Sequence, residues 1–131
     1  MIASVTDLQG RITGAHRTWL APDGSGKAAV PTPRRAMGNL LGHAVRFGAA
    51  EDVLAVGEGI ETMLSLRAAL PGMPMAAALS ASHLAALRLS PSVRRLYIAR
   101  DVDAAGTTAA ATQAELATSA GIEVLTLSPR H

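Results

Sequence analysis

The 131-residue sequence contains no cysteine. Disulfide staples, thiol nucleophiles and cysteine-ligated zinc are therefore excluded from this chain. Aromatic residues are nearly absent too: Trp19, Phe47 and Tyr97 are the only three. So few rings do not make a platform on which successive bases of a single strand stack. The core must then be built from Leu, Val, Ile, Met and Ala. No apolar run approaches the ~20 residues of a membrane span, and Met1 to Asp7 has neither the basic start nor the apolar stretch of a signal peptide. The expected location is cytoplasmic, without membrane contact.

What is present is 49% hydrophobic sequence, enough for one domain with a sizeable core. Charge is uneven along the chain. Residues 1–50 hold six basic residues (Arg11, Arg17, Lys27, Arg34, Arg35, Arg46) against two acids, a net of +4, while residues 51–131 hold six against eight, a net of −2. A basic half beside an acidic half suits a protein that holds a polyanion on one surface and a metal ion on the other, although solvated surface charge accounts for it equally well.

The first fifty residues read as a β-rich, loop-heavy extension packed on the remainder of the chain. Ile2–Thr6 and Arg11–Leu20 flank the turn Asp7-Leu8-Gln9-Gly10, a hairpin signal, with Trp19 as a core anchor. Residues 21–27 are dense in turn formers. The Gly26-Lys27 pair is no P-loop, because Ala21 and Ala28 stand where that motif needs Gly and Ser or Thr. Val30 to Arg35 is extended by its prolines, Ala36 to His43 is too glycine-rich for a helix, and Ala44–Gly48 is one more short strand.

From Glu51 strands and helices alternate, the pattern of a parallel α/β sheet. Strands are expected at Val53–Val56, Met75–Leu79, Arg95–Ala99 and Ile122–Leu127. Helices are expected over Ile60–Leu70, over His83–Leu89 with Ser80 or Ser82 as cap, and over Thr107–Ser119 before Gly121. The fold class is thus α/β, a four-stranded parallel sheet flanked by helices in residues 51–131, with residues 1–50 as the extension.

Two acidic turns stand at equivalent places in this pattern. Gly57-Glu58-Gly59-Ile60-Glu61-Thr62 follows the first strand, and Arg100-Asp101-Val102-Asp103-Ala104-Ala105-Gly106 follows the third. Ligands of open parallel sheets bind at the carboxyl ends of the strands, so Glu58, Asp101 and Asp103 can meet. Magnesium takes one or two carboxylates together with waters and substrate phosphate oxygens, so such a sparse set suits it. Glu58 serves either as ligand or as general base. Each turn alone also has an ordinary account, because an acid at a helix start stabilises the dipole; that account is the simpler one for Glu61. Lys27, Arg34, Arg35 and Arg100 are candidate phosphate contacts. His83 reads as a surface or capping residue, and His16 and His43 lack metal-ligand spacing. A haloacid-dehalogenase-like phosphatase, which also uses Asp-x-Asp after a strand, is disfavoured. It wants Thr four residues after the first Asp, where Ala105 stands, and only 28 residues follow Asp103.

Glu58-Gly59-Ile60-Glu61-Thr62 after one strand, with Asp101-x-Asp103-x-x-Gly106 after a later one, resembles the Toprim domain shared by bacterial primases, topoisomerases and certain nucleases. The likeness is strongest to the Toprim-containing primases of phages, plasmids and mobile elements. There the run from Asp7 through Gly10-Arg11-Ile12-Thr13-Gly14 to Arg17-Thr18, the Gly26-Lys27 loop and Gly42-His43-Ala44-Val45-Arg46 also look familiar. The resemblance implies that Glu58, Asp101 and Asp103 hold Mg²⁺ or Mn²⁺ as the catalytic set, with Gly59, Glu61 and Gly106 around them. It implies DNA primase activity: nucleotidyl transfer during DNA replication, with single-stranded DNA template and nucleotides as partners. Zinc-binding and helicase regions, which accompany such domains, would lie outside this chain. A Mg-dependent Toprim nuclease and a non-catalytic nucleic-acid-binding module are the alternatives.

Overall fold

The apolar run beginning at Val53 becomes the central strand of a five-stranded sheet. A computed structural model describes residues 2–18, 34–48, 50–100 and 104–127. Along the chain the elements are β1 (Ile2–Thr6), β2 (Ile12–Thr18), β3 (Arg34–Gly38), β4 (Val45–Phe47), β5 (Val53–Gly57), α1 (Ile60–Ala69), β6 (Met75–Ala77), α2 (Ala81–Ala86), β7 (Arg95–Ala99), α3 (Ala104–Ser119) and β8 (Glu123–Leu127). The large sheet has the order β4-β6-β5-β7-β8, and β1-β2-β3 form a separate antiparallel sheet. The four expected parallel strands are present. To them the structure adds an antiparallel edge strand, β4, which comes from the first fifty residues and pairs with β6 (Val45 opposite Ala77, Phe47 opposite Met75). Trp19 and the 21–27 loop lie outside the described residues.

Alternation along the strands divides the core into two clusters. Leu54 and Val56 of β5, with Leu96 and Ile98 of β7, face the side where Leu84 and Leu87 of α2 and its end pack with Ala109, Ala110 and Ala117 of α3. Ala55 of β5 and Ala99 of β7 face the other side, where Ile60 and Met63 of α1 pack with Val5 and Val45. Both faces of β5 are thus covered, which explains its wholly apolar reading. The helix α1 buries only Ile60 and Met63, while Leu64 and Leu70, which share the expected apolar spacing, are 41% exposed. Small alanines let α3 approach the sheet closely. Among them sits buried Gln113, whose Nε2 donates to Leu84 O at 2.8 Å and Leu87 O at 3.2 Å, tying α3 to the end of α2. Ser80 caps α2 by accepting the His83 backbone N–H at 3.2 Å. No helix among the described residues is long and apolar enough to cross a membrane.

The small sheet joins the large one through β1. Thr6 and Ala44 exchange both backbone hydrogen bonds, at 2.9 and 3.2 Å, and Val5 is fully buried against the α1 side. Asp7 then closes the hairpin. Its Oδ1 accepts the backbone N–H groups of Gln9 and Arg11 at 2.9 and 3.0 Å, and its Oδ2 accepts Arg11 Nε at 2.8 Å. Desolvation of the carboxyl opposes ionisation. The backbone N–H and guanidinium of Arg11 and the backbone N–H of Gln9 outweigh it and hold Asp7 below its ordinary value. Arg34 and Arg35 open β3 opposite Thr18 and Arg17. Further along, Gly14 and Gly38 are paired, and a Cβ on Gly38 would lie 2.5 Å from Thr13 O and 2.6 Å from the Gly14 Cα. His43 fastens the loop after β3, its Nδ1 lying 2.9 Å from both Thr13 Oγ1 and Asn39 O.

Stability should respond at two of these positions. Gly38 has φ +107, so Gly38→Ala adds backbone strain to the steric clash and is expected to cost about 3 kcal/mol in urea denaturation; an unchanged midpoint would contradict the close β2–β3 approach. Because the folded-state pKa of Asp7 is depressed, its contribution is complete above the ordinary carboxylate pKa and disappears as pH falls through the depressed value. The stability gap between the parent chain and Asp7→Asn is therefore expected to close on acidification, and a gap independent of pH would contradict this.

Candidate functional site

The two core clusters fix where a crevice can open. After β5 the chain crosses to α1 on one side of the sheet, and after β7 it crosses to α3 on the other. Since β5 and β7 are parallel neighbours, with Gly57 opposite Ala99, their following segments diverge at their carboxyl ends. That divergence is the topological switch point at which open α/β sheets bind ligands. Glu58 and Arg100, the next residue on each strand, stand side by side there.

Glu58 is half-buried, and its Oε2 atom is shielded from solvent. Its backbone is held by the end of β6. Ala78 N–H donates to Gly57 O at 2.8 Å, and Leu79 N–H donates to Glu58 O at 2.6 Å. Leu79 itself adopts φ +84, a conformation bulky residues avoid and one that costs of order 1–3 kcal/mol. Sequence reading missed this strained residue, for which leucine gives no signal. Gly59, in extended conformation, is the N-cap of α1 and supplies no side chain to it. Glu61 lies in the first turn and curls back, its Oε2 atom 3.6 Å from where a Cβ on Gly59 would sit. A carboxylate there opposes the positive end of the helix dipole, the role expected for it. Gly57 itself permits close packing, since a Cβ on it would come within 2.5 Å of the buried Met63 Sδ.

Arg100 is half-buried and anchored through its backbone N–H to Leu127 O at 2.9 Å, just beyond β8's pairing with β7. Asp101 and Asp103 come next in sequence and lie outside the described residues; Gly106 is in the first turn of α3. The crevice therefore gathers Glu58, Gly59, Glu61 and Arg100. Arg34 and Arg35 belong to the small sheet, and their side chains and Lys27 are outside what is described. Among the described residues no three His, Asp or Glu groups are gathered, and two of the three expected carboxylates are not among them. Carboxylate oxygen is the donor chemistry that magnesium and manganese prefer. A shielded carboxylate oxygen at the switch point fits such an ion.

A family model described as Toprim domain matches residues 53–131, and one described as Domain of unknown function (DUF7146) matches residues 1–47. Comparison with curated proteins gives no match. Among solved structures, the zinc-binding and RNA polymerase domains of the Aquifex aeolicus primase superpose with TM-score 0.65 at 20% identity, covering 99% of this chain and 34% of that one. The primase fragment of the bacteriophage T7 primase-helicase protein gives 0.62 at 17% identity, covering 96% and 53%. A DNA primase domain from Pseudomonas aeruginosa gives 0.60 at 21%, covering 99% and 43%. The chain thus spans between a third and about half of each of these structures, and it shares their fold.

The packing of Met63 on Gly57 makes one consequence measurable. Gly57→Val is expected to push α1 from the sheet, lower stability by about 2 kcal/mol and disturb the backbone of Glu58. Unchanged denaturation together with unchanged amide resonances at Glu58 and Gly59 would contradict it.

Proposed function

We propose that this chain, which belongs to the Toprim domain family, is the catalytic module of a DNA primase that joins ribonucleotides on a single-stranded template. The observation that carries the reading is the pairing of Gly57 with Ala99. It brings Glu58 and Arg100 out of neighbouring parallel strands at the crevice where their helices part, and Asp101 and Asp103 follow Arg100 in sequence. The primase folds matched over nearly the whole chain support the reading, including its β-rich first fifty residues, which we treat as an extension packed on the catalytic unit of residues 51–131.

Glu58, Asp101 and Asp103 would hold Mg²⁺ or Mn²⁺. The ion would supply neutralisation of phosphoryl charge and alignment of attacking and leaving oxygens. The chain's own groups do the rest. In the transfer, a 3′-hydroxyl oxygen bonds to the α-phosphorus of a nucleotide while the bond to pyrophosphate breaks, and the hydroxyl proton passes to Glu58 where that carboxylate acts as general base instead of ligand. Arg100 places a cation beside the same turn for substrate phosphate. Lys27, Arg34 and Arg35 guide the template backbone, and Glu61 and Gly59 hold the start of α1 with Gly106 at the start of α3. Zinc-binding and helicase regions outside this chain would complete the assembly that replicates the DNA of a mobile element in the cytoplasm.

Incubating the chain with single-stranded DNA, ribonucleotides and Mn²⁺ or Mg²⁺ is expected to yield short oligoribonucleotides. Glu58→Gln or Asp101→Asn should lower the yield at least about a hundredfold without loss of fold. Strand cleavage without synthesis would replace the primase reading with a nuclease, and template binding without either product would leave a non-catalytic module.

A further inference from the structure

A pocket of about 410 Å³ opens between the β1–β2 turn and the free edge of β4, lined among others by Asp7, Gln9, Arg46, Gly48, Ala50 and Ser90. It lies away from the carboxyl ends of β5 and β6. On β4, Val45 stands level with Ala77 and Gly57, the carboxyl ends of β6 and β5. The pocket runs the other way, from Arg46 past Gly48 to Ala50, which leads into the amino end of β5. Arg46 is opposite Ala76 and so lies on the sheet face that carries α2 and α3.

The guanidinium of Arg46 is poorly accommodated by the protein alone. Its Nε and Nη2 atoms are buried and meet no hydrogen-bond acceptor. Burial lowers its pKa, and the attraction of the Asp7 carboxylate opposes this. Asp7 attracts it without a hydrogen bond to these two atoms, its oxygens accepting instead the Gln9 and Arg11 backbone N–H groups and Arg11 Nε. Arg46 is half-buried, and shielding two of its guanidinium nitrogens from water without an acceptor carries a cost that a ligand bringing one relieves. Guanidinium presents a planar fork of donors that matches phosphate or carboxylate oxygens in pairs. The space exceeds what one bare anion fills, and Gln9, Ser90 and Thr6 on its wall suit hydroxyls. We propose that this pocket is a second binding site, separate from the acidic crevice, in which Arg46 takes a phosphate-type oxyanion carried by a small hydroxyl-bearing molecule.

The test titrates the full chain with inorganic phosphate, with adenosine monophosphate and with acetate at constant ionic strength, following the arginine Nε–Hε resonances by NMR and thermal stability in parallel. Saturable shifts of the Arg46 resonance with phosphate and the monophosphate are expected, along with a rise in Tm. Tighter binding of the monophosphate is expected for a hydroxyl-bearing carrier, and equal binding would overturn the carrier and leave free phosphate. An equal response to acetate would overturn the phosphate assignment. Arg46→Gln should abolish the response, and Arg46→Lys, which keeps charge but loses the fork, should weaken it about tenfold. If phosphate leaves the Arg46 resonance unmoved, or binds Arg46→Gln as well as the parent chain, the proposal is wrong. Should Arg46→Gln fail to fold, the parent chain's Arg46 resonance decides alone.

Discussion

The parallel pairing of β5 with β7 is the constraint on which the rest of this structure depends. Because β5 lies in the middle of the sheet, its crossover to β6 goes one way and the return to β7 goes the other. Right-handed crossovers in opposite directions must place their helices on opposite faces. The split of the core into an α1 cluster and an α2/α3 cluster is the packing expression of that rule. A cleft between the carboxyl ends of β5 and β7 is its unavoidable by-product, and Glu58 follows β5 at that cleft.

The N-terminal segment contributes more than charge to this arrangement. Through β4 it closes the β6 edge of the sheet, and through Val5 it covers the α1 side. Leu79 shows how tightly the far end of β6 is coupled to the crevice. This strained residue donates its backbone N–H to the carbonyl of Glu58, so the backbone of that residue is tied to the end of β6. Two buried polar side chains are satisfied within the protein: Gln113 bridges two carbonyls at the end of α2, and Asp7 accepts three N–H bonds. Arg46 departs from that pattern, which is what marks its pocket.

Much of this architecture was legible in the sequence. Val53–Val56 and Arg95–Ala99 are short apolar runs bounded by turn residues, and such runs become buried parallel strands wherever helices cover both faces. Ser80, Gly121 and Pro71-Gly72 punctuate the helices as their chemistry requires, with Gly121 at φ +82 after α3. The β3 strand was not legible. Arg34-Arg35-Ala36-Met37-Gly38 has no apolar alternation, and pairing with β2 makes it a strand. The place of β4 was equally hidden, because its partner β6 lies some thirty residues downstream and register across such a distance leaves no local trace. At the crevice, Glu58 and Arg100 could be found from their positions after strands, whereas the strain at Leu79 and the shielded Nε and Nη2 atoms of Arg46 arise only from tertiary packing.

The central claim is that a divalent ion is held at the β5/β7 crevice by carboxylates from both turns. Titration with Mn²⁺, read as paramagnetic broadening of backbone amides, tests it most directly. Glu58, Gly59, Leu79 and Arg100 are expected to broaden first, while Ser119 at the far end of α3 and Gly48 beyond β4 stay sharp, and Glu58→Gln is expected to weaken the effect. Broadening centred elsewhere, or none at the crevice, would contradict the claim.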